Sequence, residues 1–161
     1  MTVFFKSREL YRVAVQMERN GLAFYMKLAE QASDISTKGV YQYLISAEKR
    51  HLRLFKRLLS KTQQASPPES YRGEYRKYLR ALLKDSVFTS AAAARSRAVK
   101  SNPVTALKTG IQAEKDSILF YTELLNFISP AERPALKKIL AEEKLHLRRL
   151  TDYKHNSGCF N

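Results

Sequence analysis

The chain has 161 residues, the size of one domain, and its five glycines and five prolines make about 6% against roughly 12% in average proteins, which favours long uninterrupted helices. Hydrophobic residues at 44% can build a core, so disorder is not needed to explain the composition, and the single cysteine, Cys159, excludes an internal disulfide and any paired CxxC metal site. The formal charge of +14 creates a positive field that favours anionic partners, nucleic acid and lipid headgroups among them, without singling one out.

The opening residues, Met1 to Glu9, turn charged too soon for a secretory signal, and no 18-residue apolar stretch follows. A cytoplasmic chain without membrane attachment is the expectation. Residues 7–32 carry an apolar stripe at Leu10, Ala14, Met17, Gly21, Phe24, Tyr25 and Leu28, the spacing of an amphipathic helix that stops near Ser33 to Ser36. A second helix is expected over 36–61, with Tyr41, Leu44, Phe55 and Leu58 on one side and Lys49, Arg50, Arg53, Lys56, Arg57 and Lys61 crowding its last turns, where cations suit the helix dipole. A short turn makes these two helices antiparallel neighbours.

Residues 62–102 read as a crossover: a breaker at Gln63 to Pro68, a short helix over Glu74–Lys84 and another over Ala91–Val99. Asn102 and Pro103 look like the cap and first residue of a third long helix running to about Ile128. The fourth follows Ser129 to Glu132, which has capping-box spacing, with Pro134 able to delay its start, and persists to about His155 before Gly158 and a frayed tail over 157–161. The expectation is a single all-α domain spanning 1–161. It is a four-helix bundle of two antiparallel hairpins with a long crossover, each helix about 26 residues and roughly 39 Å long.

An internal repeat links the two hairpins. Glu18 is followed at six and seven residues by Phe24 and Tyr25, and Glu114 at the same distances by Phe120 and Tyr121, an offset of 96. Glu48 to Leu52 (EKRHL) matches Glu143 to Leu147 (EKLHL) at an offset of 95. Each glutamate lies on the apolar side of its helix, so four carboxylates would face one core. One unpaired buried charge costs several kcal/mol, so four require protons, water or cations, and two divalent metals balance them. His51 and His146, three residues after Glu48 and Glu143, share those faces and can add one nitrogen each. One Glu from each of two helices with Glu-x-x-His from the other two is the ligand set of di-iron and di-manganese carboxylate bundles. Oxygen and nitrogen donors without thiolates suit iron, or manganese, better than magnesium or structural zinc.

A lone glutamate or histidine in such a helix is more often a surface ion pair or a hydrogen-bonded core residue; the shared phase of all six decides otherwise. Tyr25 and Tyr121 return to the faces of their glutamates after two turns and are expected in the core, with a hydrogen bond to a ligand carboxylate as a further role. Glu142 points about 100° away from Glu143 and is expected off the core face, with Ala47 as its counterpart in the first hairpin. His155 lacks a repeat partner and reads as a surface residue. The basic residues, spread over several segments with no aromatic-basic motif, read as a solvated face rather than a dedicated nucleic-acid surface.

Through Glu18 with Phe24 and Tyr25, Glu48 to His51, Glu114 to Tyr121 and Glu143 to His146, the sequence resembles the rubrerythrin-like branch of the ferritin-like superfamily over essentially residues 8–152. The resemblance implies a carboxylate-bridged centre of two iron ions, with Glu48 and Glu143 as bridges, Glu18 and Glu114 as terminal carboxylates and His51 and His146 as nitrogen ligands. It supports a role beside the ligands for the tyrosines and implies a homodimer; exchange of a hairpin between chains is left open by the long connection. Two departures stand out. Rubrerythrins with a rubredoxin domain carry four iron-binding cysteines that this chain lacks, so electrons would come from an external donor, and Ser117 stands where that family has a further acidic ligand. The function expected is an oxidoreductase acting with O2 or peroxide; the alternatives are an iron-handling protein with little turnover and a basic bundle that binds nucleic acid around a structural metal site.

Overall fold

The computed structural model describes residues 7–62, 73–84, 86–87 and 102–157. All regular structure among the described residues is helical: α1 (Ser7–Gln31), α2 (Ile35–Lys61), α3 (Gly73–Lys84), α4 (Pro103–Leu124) and α5 (Arg133–Asn156). None of these helices is long and apolar enough to cross a membrane. The helix expected over 91–99 and the tail at 158–161, with Cys159, lie outside the described residues.

Local chemistry sets the boundaries. Asp34 stands in extended backbone before α2, and its carboxylate accepts the Thr37 N–H at 2.8 Å, satisfying a donor that the first turn leaves free. Asn102 does the same for α4, accepting from Val104 N–H at 3.0 Å and Thr105 N–H at 3.2 Å, and Pro103 follows where no N–H is needed.

The third long helix is shorter than its apolar spacing suggests. It ends at Leu124, not near Ile128, and the Asn126 and Phe127 N–H groups bond back three residues to the Glu123 and Leu124 carbonyls in tight turns. Phe127 and Ile128 are still buried, and the Ser7 hydroxyl donates to the Phe127 carbonyl at 2.7 Å. The turn buries the side chains that periodicity assigns to a helix, while Pro130 disfavours helical backbone at Ser129. Helix α5 accordingly starts at Arg133, with Pro134 in its first turn. Ahead of it, the Glu132 carboxylate accepts from the Ser129 N–H at 2.9 Å and the Ser129 hydroxyl at 2.8 Å.

Two hairpins, α1–α2 and α4–α5, pack so that α1 also meets α4 and α2 meets α5. The described part of the crossover lies along α4, where Tyr78 donates to Glu123 at 3.4 Å and the Val87 N–H donates to Asp116 at 2.8 Å. The interior has two apolar layers. One gathers Leu10, Tyr11, Phe55, Phe120, Leu124 and Leu136; the other gathers Phe24, Leu28, Tyr41, Leu44, Leu107 and Leu150. Between them, at mid-helix, sits a buried layer of acids and histidines.

Phe55 is fully buried, its ring 4.9 Å from that of Tyr121 and 6.5 Å from that of Tyr11. Phe55→Ala should therefore lower the unfolding free energy by about 3–5 kcal/mol in a denaturant titration, whereas Leu119→Ala, at a site 49% exposed, should stay within about 0.5 kcal/mol.

Candidate metal centre

Glu18 on α1, Glu48 and His51 on α2, Glu114 on α4, and Glu143 and His146 on α5 are all buried, the most exposed being Glu48 at 5%. Helical spacing puts them there: each sits in its helix's inward stripe, and the i,i+3 relation stacks each histidine over its glutamate. The structure brings all six together in two overlapping groups, Glu18, Glu48, His51 and Glu143, and Glu48, Glu114, Glu143 and His146. Within each group one donor atom per residue lies within 4.8 Å of the rest, and Glu48 and Glu143 belong to both.

The histidines face the cluster through Nδ1. His51 Nδ1 is 3.0 Å from Glu143 Oε1 and 3.7 Å from Glu18 Oε2. His146 Nδ1 is 3.2 Å from Glu143 Oε2 and 3.6 Å from both Glu48 Oε1 and Glu114 Oε2. The two rings stack at 5.6 Å with 24° between their planes. His51 Nδ1, Glu143 Oε1 and Glu18 Oε2 are close to one another yet have no hydrogen-bond partner. Buried polar atoms are ordinarily paired. Three such atoms converging on one space, without aligning on each other, suit a cation between them.

Electrostatics describe the same strain. Burial is the leading influence on Glu18, raising its pKa from 4.5 to about 8, with Glu143 and Glu114 adding repulsion against the lowering effects of Glu48 and the Tyr121 hydroxyl. Burial, then repulsion from Glu143, pushes Glu114 up to about 8 as well, and burial, then repulsion from Glu18 and Glu143, holds Glu48 well above the usual carboxylate range. Glu143 moves the other way: burial opposes its charge, but the His146 and His51 imidazoles beside it hold it below the usual range. His146 rises to about 11 because Glu114 and Glu143 outweigh the burial of its charge. Without cations, the cluster is tolerable only by holding protons. Four carboxylates and two imidazoles, with no thiolate, are a donor set that fits two ions of iron or manganese.

The tyrosines connect the two halves crosswise. Tyr25 of α1 donates to Glu114 of α4, and Tyr121 of α4 donates to Glu18 of α1. Each hydroxyl thus serves the glutamate of the other hairpin, leaving one oxygen of that carboxylate facing the cluster. Gly110, one turn before Glu114, lies beside this bond: a Cβ there would stand 3.5 Å from the Tyr25 hydroxyl, an ordinary contact distance. Ser117 is buried on α4, and His155 is exposed in the last turn of α5.

Glu142 makes a contact that its own helix does not reveal. It stands off the core face as expected, but on the seam with α2, its side chain 24% exposed, where its Oε2 is 2.9 Å from His51 Nε2 and 3.2 Å from Arg50. The partner helix, invisible to a single-helix argument, turns a flanking direction into a contact. The repeat carries a signal, since an acid precedes the Glu-x-x-His of one hairpin only. At the matching place in the other hairpin stands Ala47, and His146 Nε2 is buried without a hydrogen-bond partner, with the Tyr43 ring edge-on at 5.8 Å. Arg149 in turn lies 4.0 Å above that ring. The two ligand groups, alike in donors, differ in what holds their histidines.

Comparison with known proteins agrees with this architecture. The family model described as Rubrerythrin matches residues 9–154. No curated protein sequence matches the chain. A 2.30 Å crystal structure of a Thermotoga maritima protein, assigned as a ferritin-like diiron-carboxylate protein, is 25% identical and superposes with a TM-score of 0.76 over 98% of this chain and 99% of that one. With the family model spanning both hairpins and the crossover between them, the chain belongs to the rubrerythrin family.

Proposed function

We propose that the chain holds two iron ions between its hairpins and acts as an oxidoreductase toward O2 or a peroxide, with electrons from an external donor in a cytoplasmic setting. The observation that carries this reading is that Glu48 and Glu143 belong to both ligand groups, as carboxylates bridging two cations must. Bound iron would supply the one-electron changes that O2 and peroxides require. In this reading Glu18 and His51 hold one ion and Glu114 and His146 the other, and the structured bundle around them excludes water. Tyr121 and Tyr25 orient the terminal carboxylates and keep a proton at each outer oxygen. Two divalent ions offset the four carboxylate charges that burial otherwise forces to take up protons.

Anaerobic equilibrium dialysis against Fe(II) should give about two ions per chain, and a Glu48→Ala/Glu143→Ala variant should retain neither. Loading with no turnover of O2 or hydrogen peroxide by reductant would leave an iron-handling protein; no loading would end the metal reading.

The unequal support of the histidines makes the two positions unequal in affinity. Glu142 accepts from His51 Nε2, which fixes the ring and leaves Nδ1 free as a ligand, whereas His146 has no such partner. Calorimetric titration should resolve a tighter and a weaker ion. Glu142→Gln should weaken the tighter one by roughly 10–100-fold and leave the other within error.

Protons and metal compete for the site. Folded, Glu18 and Glu114 keep protons up to about pH 8, against an ordinary value of 4.5, and His146 keeps one up to about 11, against 6.5. The metal-free folded chain therefore binds more protons than the unfolded chain through the neutral range, so its stability falls as pH rises. Chelator-treated protein should melt at a lower temperature at pH 9 than at pH 6, and saturation with Mn(II) should abolish that fall.

A further inference from the structure

The chain's positive charge, dispersed in sequence, is gathered in space. Helix α2 carries seven Lys/Arg residues against one acid, Glu48, and α5 carries seven against Glu142, Glu143 and Asp152. These two neighbouring helices thus hold +10 of the chain's +14. Helix α1 has four basic and three acidic residues and α4 has two and three, so that pair sums to zero. Because Glu48 and Glu143 point inward, the outer surface of the α2–α5 pair keeps only Glu142 and Asp152 to offset its cations.

The antiparallel register, fixed by His51 against Glu142 and Tyr43 beside Arg149, runs the α2 turns of Arg53 and Arg57 alongside the α5 turn of Lys137 and Lys138. Arg53, Arg57, Lys61, Lys137 and Lys138 are all exposed. The described part of the crossover lies against α4 and leaves this face uncovered. Cations crowded at this density repel one another, and the arrangement is relieved by a partner that brings an extended array of negative charge.

We infer that the outer face of α2 and α5 binds the phosphate backbone of double-stranded nucleic acid. Arginine on this face, at positions 50, 53, 57, 148 and 149, suits the two-pronged contact that phosphate oxygens accept. Helix α2, at about 40 Å, matches roughly one turn of a duplex, which offers a charge every ~1.7 Å. A lipid surface is the poorer fit. Interfacial helices bury an apolar face beside their cations, whereas the large exposed apolar residues of the described chain are Met26, Ile35, Tyr78 and Leu119, none on α5 or between residues 36 and 61 of α2. The binding is to backbone, without base readout, and stands independently of what occupies the metal centre.

The test is fluorescence anisotropy of a labelled 30-base-pair mixed-sequence duplex with the full chain, in metal-loaded and chelated forms. Binding at 50 mM salt should weaken with a log–log salt slope of about −4 to −5, the signature of some five phosphate contacts. An Arg53→Glu/Arg57→Glu/Lys138→Glu variant should lose at least about tenfold in affinity and flatten the slope by about 3. Arg12→Glu/Arg19→Glu/Lys115→Glu, an equal charge change at exposed sites on α1 and α4, should lose several-fold less. Circular dichroism verifies that both variants fold. Absence of binding at 50 mM salt, or equal losses in the two variants, would overturn the assignment, as would tighter binding to vesicles of phosphatidylserine and phosphatidylcholine than to the duplex.

Discussion

The structure turns on the cost of placing four carboxylates and two imidazoles in one water-poor layer. An ion transferred from water to a protein interior loses several kcal/mol even after the surroundings relax, and a single truncation among paired buried charges leaves the remainder uncompensated. Here the layer is bounded above and below by aromatic and aliphatic side chains, so water cannot bear the cost. The surroundings answer that cost: burial and mutual repulsion drive Glu18, Glu48 and Glu114 toward their neutral forms, while Glu143 stays charged between two histidines. Bound cations would answer the same imbalance, since lone pairs of Glu18, His51 and Glu143 that find no hydrogen bond already converge on one space.

Much of this is legible in the amino-acid order because the regular structure of the described residues is helical throughout. A 3.6-residue period tells which side of each helix is apolar, and a polar residue on that side is conspicuous. That places Glu18, Glu48, His51, Glu114, Glu143 and His146 inside, and the 95- to 96-residue offset pairs them across the hairpins. Caps at Asn102 and the break around Asp34 are equally readable, because they depend on residues only two or three positions away.

What escapes is what depends on a neighbour. Glu142 is indistinguishable in its own helix from a solvent-facing acid; its contact with His51 exists because α2 passes at that height. The exit from α4 is hidden for a related reason, since Leu125, Phe127 and Ile128 are spaced as a helix would space them and a tight turn buries Phe127 and Ile128 equally well. The basic residues look scattered along the chain and become a single face only when α2 and α5 are set side by side. The crossed tyrosine bonds are of this kind too: the period brings each ring inward, but only the packing of α1 against α4 decides which glutamate it meets.

That crossing has a mechanical corollary. Because each hairpin lends its phenol to the opposite hairpin's acid, sliding one half along the other by a single turn would strand both hydroxyls and both carboxylates together, in a setting where none could find solvent. The alignment of the halves is thus latched twice by one symmetric device. A half-molecule released from its mate would lose the latch entirely, so the unit that must stay intact, in one chain or by trading hairpins between two, is the pair.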